Sequence, residues 1–371
     1  MELNDMFLAI RELRHGKFRY LLIGCIMLLV SWLTFIVSGL ANGLALDNAS
    51  AMKNMKGDYV LLQKQAEQKL ARSVLPPTLL EEVQQHAEQA ASLTQATLTL
   101  TTEKQNKKID VTVFGTEADS ILMPTVTEGK SLGQVGKQEV IADISLKENG
   151  IKIGDILQNE DSEIKVKVVG FAKGQLFSHM PVLYTDNGSF RNLMKLTGKQ
   201  TKPSYNAIVI EGTPDIKKTL ETKISDVEVI TKEEATHGIP GYKEEQGSLT
   251  MMITFLVIIA AFVQAVFFYV ITLQKTNQFG ILKAIGAKTS YLARNLIGQV
   301  LLLASGAVIV SILLTFGTSA LLPASIPFEL NGSMLLQYSG LLITVAVGGA
   351  LLSLRRIAKI DAIEAIGRME V

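Results

Sequence analysis

The sequence predicts a membrane α-helical protein: four transmembrane helices, with an α+β extracytoplasmic domain between the first and the second. Three observations carry this. Four stretches hold no charged residue: Tyr20–Leu46, Gln246–Gln274, Asn295–Phe328 and Leu330–Leu354. Each is at least as long as the roughly 20 apolar residues that cross a bilayer's hydrocarbon core. The 36 basic and 35 acidic residues collect between the first and second stretches and in short flanks, although the chain is 48% hydrophobic. Such segregation separates lipid-facing helices from a water-facing domain.

Each segment then follows in order. Residues 1–18 read as a cytoplasmic amphipathic helix, with Leu3, Met6, Ile10 and Leu13 at helical spacing, suited to lie along the bilayer surface. Residues 19–46 form the first span. Basic residues before an apolar run also suit a signal peptide, but the run is too long and lacks a small-x-small cleavage site, so it reads as a retained helix. Its Gly39 and Gly43 are a small-xxx-small pair that lets two helices approach closely, and Met27, Ser31, Thr34 and Ser38 form a second stripe. Residues 47–245 form the outer domain. Leu61–Val74 and Thr78–Ala91 read as helices. Ala96–Thr101, Asp110–Phe114, Ile164–Val169, Tyr205–Glu211 and Asp226–Ile230 read as strands, and Ile216–Ile224 as a helix. Asn149-Gly150 turns into a short strand, Ile151–Gly154. The second, third and fourth spans are residues 246–274, 295–322 and 334–354. A cytoplasmic coupling loop (275–294), a short external loop (323–333) and a cytoplasmic tail (355–371) complete the plan.

Lysine and arginine set the expected orientation. Arg11, Arg14, Lys17 and Arg19 precede the first span, Lys275, Lys283, Lys288 and Arg294 fill the coupling loop, and Arg355, Arg356, Lys359 and Arg368 follow the fourth span. With four spans all three clusters fall on one side, which the positive-inside rule makes cytoplasmic. The link from Pro323 to Ser333 holds no base and one acid, Glu329, and faces out with the large domain.

Composition removes several chemistries. A net charge of +1 argues against a nucleic-acid partner, and the single cysteine, Cys25, excludes an intrachain disulfide and every cysteine-based metal motif. His15, His86, His179 and His237 lack ligand spacing, so no metal site is expected; His179 reads as a surface histidine, with ligation in the outer domain the alternative. Gly286-Ala287-Lys288-Thr289 is not a P-loop, because that motif places its lysine directly after the second glycine. No catalytic residues are expected. No span is expected to bury an Asp, Glu, Lys or Arg, which argues against ion-coupled transport. Gln264, deep in the second span, is expected to make an interhelical hydrogen bond.

Several of these residues resemble the FtsX-like, MacB-type permeases of ABC transporters. Gln278–Lys288 (QFGILKAIGAK) looks like that family's cytoplasmic loop, Lys359–Gly367 (KIDAIEAIG) like its C-terminal ending with Ala362 in place of proline, and Asn149–Leu157 (NGIKIGDIL) like its external-domain turn. A narrower resemblance, to the haem-exporter permeases of Gram-positive bacteria, rests on Lys17–Tyr20, Ser38–Leu44, His179 with Tyr184–Gly188, and Phe267–Lys275. The resemblance implies a non-catalytic permease subunit, a homodimer packed at Gly39 and Gly43. It would work with two copies of a cytoplasmic ATPase that binds ATP and Mg, with no intrinsic cofactor and with haem as the substrate taken from membrane lipid. Gly280, Ile281, Leu282 and Lys283 are the expected ATPase-coupling residues; the alternative is that they simply cap the second span. Haem needs soft or aromatic walls, an axial ligand and a polar rim. Met27, Phe35, Tyr242, Glu244, Glu245, Met251 and Met252 are the expected haem contacts, gathered at the outer membrane interface. Methionine is equally ordinary lipid-facing filler, and juxtamembrane acids are commonly solvated. Two other functions fit the same ground plan: a mechanical regulator of a cell-wall hydrolase that moves no substrate, and an exporter or extractor of peptide or lipoprotein.

Overall fold

The computed structural model describes residues 17–102, 105–133, 138–159, 164–196, 203–323 and 326–358. The amphipathic helix expected over residues 1–18, apart from its last two positions, and the C-terminal motif at 359–367 lie outside them. The chain divides into two compact units, one built from Leu44–Gln246 and the other from the helices on either side of it in sequence.

Among the described residues, the helical unit contains four helices long and apolar enough to cross a membrane. They are α1 (Lys17–Asn54), α6 (Tyr242–Gln274), α8 (Thr289–Ser319) and α9 (Gly332–Ala358). α1 runs eight residues past the expected end of the first span and α6 starts four residues early, so both continue into the other unit. In both extensions polar residues adjoin the apolar run without a helix breaker, so charge marks the end of hydrophobicity but not of the helix. Hydroxyls inside the spans donate back to their own helix: Thr34 to the Val30 carbonyl, Thr272 to Phe268 and Thr315 to Ser311. Backbone acceptors thereby satisfy them where lipid cannot. Ser311 also donates to the Leu28 carbonyl, which ties α8 to α1. The stripe Met27, Ser31, Thr34 and Ser38 is wholly buried.

The other unit is α+β, and the eleven strands among its described residues form one connected sheet. Four of them make an antiparallel platform in the order β11 (Val227–Thr231), β1 (Tyr59–Gln63), β10 (Ala207–Glu211) and the first part of β2 (Gln89–Thr102). Alternation along these strands sorts side chains between two cores. Val60, Leu62 and Val209 face the end of α1 and the start of α6, with Ala49, Met52, Met55 and Tyr242. Leu61, Ile208 and Ile210 face α2 (Thr78–Gln84) and α4 (Asp215–Lys223). A one-residue slip in any strand would exchange the two faces.

β2 then leaves the platform and enters a second lobe. There it pairs with β3 (Gln105–Thr116), which pairs with β9 (Met180–Asp186), and β9 with β5 (Glu139–Asp143). β5 pairs with β7 (Lys165–Ala172), β7 with β6 (Ile156–Gln158), and β6 returns to β2. These six pairings close on themselves, so the lobe is a small barrel with no free edge around the ring. Every strand of the ring sends an apolar residue inward: Leu100, Val111, Leu183, Val140, Val168 and Leu157 belong to one buried cluster. α3 (Asn187–Leu196) adds Phe190 and Leu193 to it.

The expected strands at Ile164–Val169, Tyr205–Glu211 and Asp226–Ile230 and the helix at Ile216–Ile224 coincide with β7, β10, β11 and α4 within three residues. Two expected helices do not form as read. Leu61–Val74 is the end of β1 followed by two 3-10 turns, because Glu67 and Gln68 take left-handed backbone angles that stop a helix. Thr78–Ala91 is helical only through Gln84 before β2 begins, since Ala90 and Ala91 pair with β10. Residues Ile151–Gly154 form a turn, and the strand starts at Ile156.

Candidate substrate and coupling sites

The structure separates the residues expected to contact haem into three settings. Met27 and Phe35 are interior packing. Met27 lies among Ile23, Phe268, Val300 and Ala346, and Phe35 among Ala260, Val308 and Leu342. Both are buried, so neither faces lipid or a free groove within the helical unit. Met251 and Met252 are 56% and 51% exposed on the opposite kind of surface. They begin an outward row on α6 that continues through Phe255, Ile259, Phe262 and Val266. This spacing keeps the row on one face of a 3.6-residue helix. The expected single gathering of Met27, Phe35, Met251 and Met252 is therefore not formed. One helical stripe carries packing, the other carries an open apolar face.

Tyr242, Glu244 and Glu245 belong to the α+β unit. Tyr242 is buried in the platform core, its ring stacked on His237 at 5.9 Å between centroids, with the Lys53 ammonium 5.5 Å from the ring centre. Glu244 is exposed. Glu245 accepts a hydrogen bond from Asn48 Nδ2 at 2.8 Å and lies 3.6 Å from His179 Nε2. The other ring nitrogen of His179, Nδ1, is 2.6 Å from Asp47 Oδ2. His179 thus bridges one acid at the end of α1 and one at the start of α6. The hairpin that holds it is fixed by the Ser178 backbone N–H, which donates to the Asn48 carbonyl at 2.7 Å, and Ser178 and His179 both adopt positive φ. Sequence reasoning named Glu245 but missed Asp47 and Asn48 as its companions. The signal was there: Asp47 is the first charge after the apolar run of α1.

The small pair Gly39 and Gly43 makes its close approach within the chain. A Cβ on Gly43 would lie 2.2 Å from the Pro327 carbonyl oxygen, and one on Gly39 would lie 2.5 Å from the Phe328 ring. The Glu329 backbone N–H donates to the Gly39 carbonyl at 3.1 Å, and Asn42 Nδ2 donates to the Glu329 carbonyl at 3.1 Å. The surface expected to receive a second copy is covered by the α8–α9 loop of the same chain. Gln264 is buried, and its Oε1 has no hydrogen-bond partner among the described residues, so the expected interhelical bond is not made through that atom.

The expected coupling loop is a short helix, α7 (Thr276–Ala284), followed by a tight stop. Gly286 adopts φ +99°, its N–H donates to the Lys283 carbonyl, and the Ala287 N–H donates to Leu282. This paired arrangement is a Schellman motif, which needs a left-handed residue just past the helix. Phe279 packs with Leu292 and Leu296 of α8, with Leu282 beside them. Of the four expected coupling residues, Gly280 is buried, Leu282 and Lys283 are half-buried, and Ile281 is exposed. Ile285, not named from sequence, is 79% exposed beside it. At the start of α7, Lys275 is buried, its Nζ donates to Gln299 Oε1 at 3.2 Å, and Tyr20 Oη donates to the same oxygen at 2.9 Å. That polar knot joins α1 and α8 to the junction between α6 and α7.

Comparison with known proteins places this architecture. Residues 250–362 match the FtsX-like permease C-terminal family. A relative from Staphylococcus haemolyticus, which carries the name hemin transport system permease protein HrtB, is 32% identical over 98% of this chain and 100% of its own length. Its namesake from Staphylococcus epidermidis is 30% identical over 98% of this chain and 99% of its own. An ABC transporter permease of Mycobacterium tuberculosis is 23% identical over 98% of this chain and 99% of its own. The extracellular domain of the ABC-type transporter YknZ matches 47% of this chain and 99% of its own length, at 14% identity and a TM-score of 0.34, and the assignment rests on the full-length relatives instead. The chain belongs to the FtsX-like permeases of ABC transporters, in the family that includes the staphylococcal HrtB proteins.

Proposed function

We propose that this chain is the permease subunit of an ABC transporter that exports haem from the membrane. It works as a homodimer with two copies of a separate cytoplasmic ATPase, which binds ATP and Mg. The observation that carries the reading is the outward row of Met251, Met252, Phe255, Ile259 and Phe262 on α6, in a chain alike over its whole length to proteins named as hemin permeases. Haem is flat, lipid-soluble and edged by two carboxylates. An apolar face with thioethers can take it sideways from lipid, and no charged path through the spans is needed. Tyr242, Glu244 and Glu245 precede this row on the same helix; Tyr242 is core packing, and the exposed Glu244 and half-buried Glu245 are the proposed polar contacts.

The lysine and arginine clusters support cytoplasmic ends and an external α+β unit. ATP-driven closure of the ATPases would then act on α7 through Ile281 and Ile285, with Lys283 beside them. Phe279 and Lys275 pass the force to α8, through Leu292 with Leu296 and through Gln299. Work is transmitted only because nucleotide favours one arrangement of these helices over another.

Cells that depend on this transporter test the reading. Met252→Ala and Glu245→Ala should lower haem tolerance while the complex with its ATPase still assembles. Unchanged haem tolerance, with a defect in division or the cell wall instead, would favour a mechanical regulator that moves no substrate.

A further inference from the structure

The α+β unit holds a groove of about 810 Å³, much larger than its two other described hollows of about 300 and 320 Å³. That volume lies within the roughly 300–1,000 Å³ of sites that take small molecules and cofactors. Its walls come from four separated segments: the 3-10 turns at Glu67–Arg72, Gln95 and Thr97 of β2, the β8–β9 hairpin at Phe177–Met180 (β8 is Leu176–Phe177), and the turn from α5 (Lys232–His237) into α6. Six non-glycine residues among those described have positive φ, and Glu67, Gln68 and Ser178 of these line the groove. Left-handed backbone at ordinary residues costs of order 1–3 kcal/mol each and gathers where a site over-determines it.

The lining suits one chemical class. Ala71, Met180 and Pro240, with the buried Leu70 and Phe177, give the lining its apolar part. His237 is exposed, and its ring is steadied by stacking on Tyr242. Two of the three acids along the wall are already engaged: Glu67 pairs with Arg72, and Glu234 accepts the Thr231 backbone N–H at 2.8 Å. Lys69 and Lys243 stand in the same lining, with Glu244 as the third acid. Beyond His237 the smaller hollow of about 320 Å³ adds Lys53, Lys232 and Glu233, with Lys232 donating to the Met55 carbonyl and Lys53 over the Tyr242 ring. A planar apolar body, an atom that accepts an imidazole lone pair and an anionic edge fit these walls together.

We infer that this groove is a second haem station, in which His237 ligates the iron and Lys69 and Lys243 meet the propionates. The inference rests on the proposed haem substrate. It gives the α+β unit a binding role of its own, as a holding place for haem that has left the face of α6. Coordination here is a lone-pair donation from the imidazole and needs no oxidant or reductant.

The test is a haemin titration of the full chain with its ATPase in lipid nanodiscs, followed by the Soret band. The wild type should bind more haemin per chain than His237→Ala. It should show a low-spin, histidine-ligated fraction that this variant loses and that Met251→Ala with Met252→Ala retains. Lys69→Glu with Lys243→Glu should weaken the same fraction without removing its spectral signature at saturation. His237 is exposed, and an unchanged elution profile on gel filtration checks that each variant is folded. Equal haemin uptake by wild type and His237→Ala, with one common spectrum, overturns the second station and leaves the exporter reading standing. No haemin binding by any form overturns both.

Discussion

At the scale of single residues, chemically similar side chains are divided by burial. Met27 is interior and Met252 is open, so Met27→Ala should act on stability, costing about 2–5 kcal/mol as a large-to-small core change. Met252→Ala should leave the melting temperature of the detergent-solubilised chain nearly unchanged and act on haem tolerance. A tolerance defect from Met27→Ala without destabilisation would contradict that division. Sequence showed which methionines occur but not which side of a helix is covered, because α1 and α6 are apolar nearly all round and their faces are told apart only by what packs there. Glu245 was legible as a polar group next to a span. Its fixation by Asn48 and by His179 was not, since His179 is 132 residues from Asp47 and reaches it only through the β8–β9 hairpin. These carboxylates and the imidazole are partly exposed, so His179→Ala should change stability by no more than about 1 kcal/mol.

At the scale of elements, the loop that covers Gly39 and Gly43 gives an ordered prediction. The neighbour of Gly43 is backbone, the Pro327 carbonyl, whereas that of Gly39 is the Phe328 ring, which can turn aside. Gly43→Ala should therefore destabilise more than Gly39→Ala, within the roughly 1–3 kcal/mol usual for overpacking, and thermal unfolding of the purified chain can rank the two. Equal effects would mean that the loop does not sit on α1 as described. α5 makes a prediction about pH. Its cap is reciprocal, Thr231 and Glu234 each accepting from the other's backbone N–H. The Thr231 backbone N–H holds the Glu234 carboxyl below the ordinary carboxylate range, against a smaller opposing effect of burial. A carboxyl depressed on folding adds stability above its unfolded pKa, and that stability is lost as pH falls through the folded value. Glu234→Gln should flatten this acid-side loss, read as melting temperature against pH. The long helices and the strands β7, β10 and β11 were legible from apolar runs and β-branched residues. The barrel was not: its closure depends on β6, three residues long, pairing with two strands far apart in sequence, and no local pattern announces that.

At the scale of the whole molecule, the fold class was legible because charge segregation is a property of the entire chain and survives errors in any one segment. The residues expected to share one site mixed an outward face with interior packing, which local sequence does not tell apart. What α7 does follows from the same scale. Gly286→Ala would force an ordinary residue into the left-handed stop of α7, at a local cost of about 1 kcal/mol, and should uncouple ATP hydrolysis from transport before it unfolds the spans. The measurement closest to the central claim is transport itself. The chain and its ATPase are reconstituted in liposomes loaded with haemin in the lipid, and haemin reaching an aqueous haem-binding protein is followed by its Soret band. ATP should drive that transfer, and Met252→Ala should slow it while hydrolysis continues. Sustained ATP hydrolysis by the wild type with haemin left in the lipid would contradict the account.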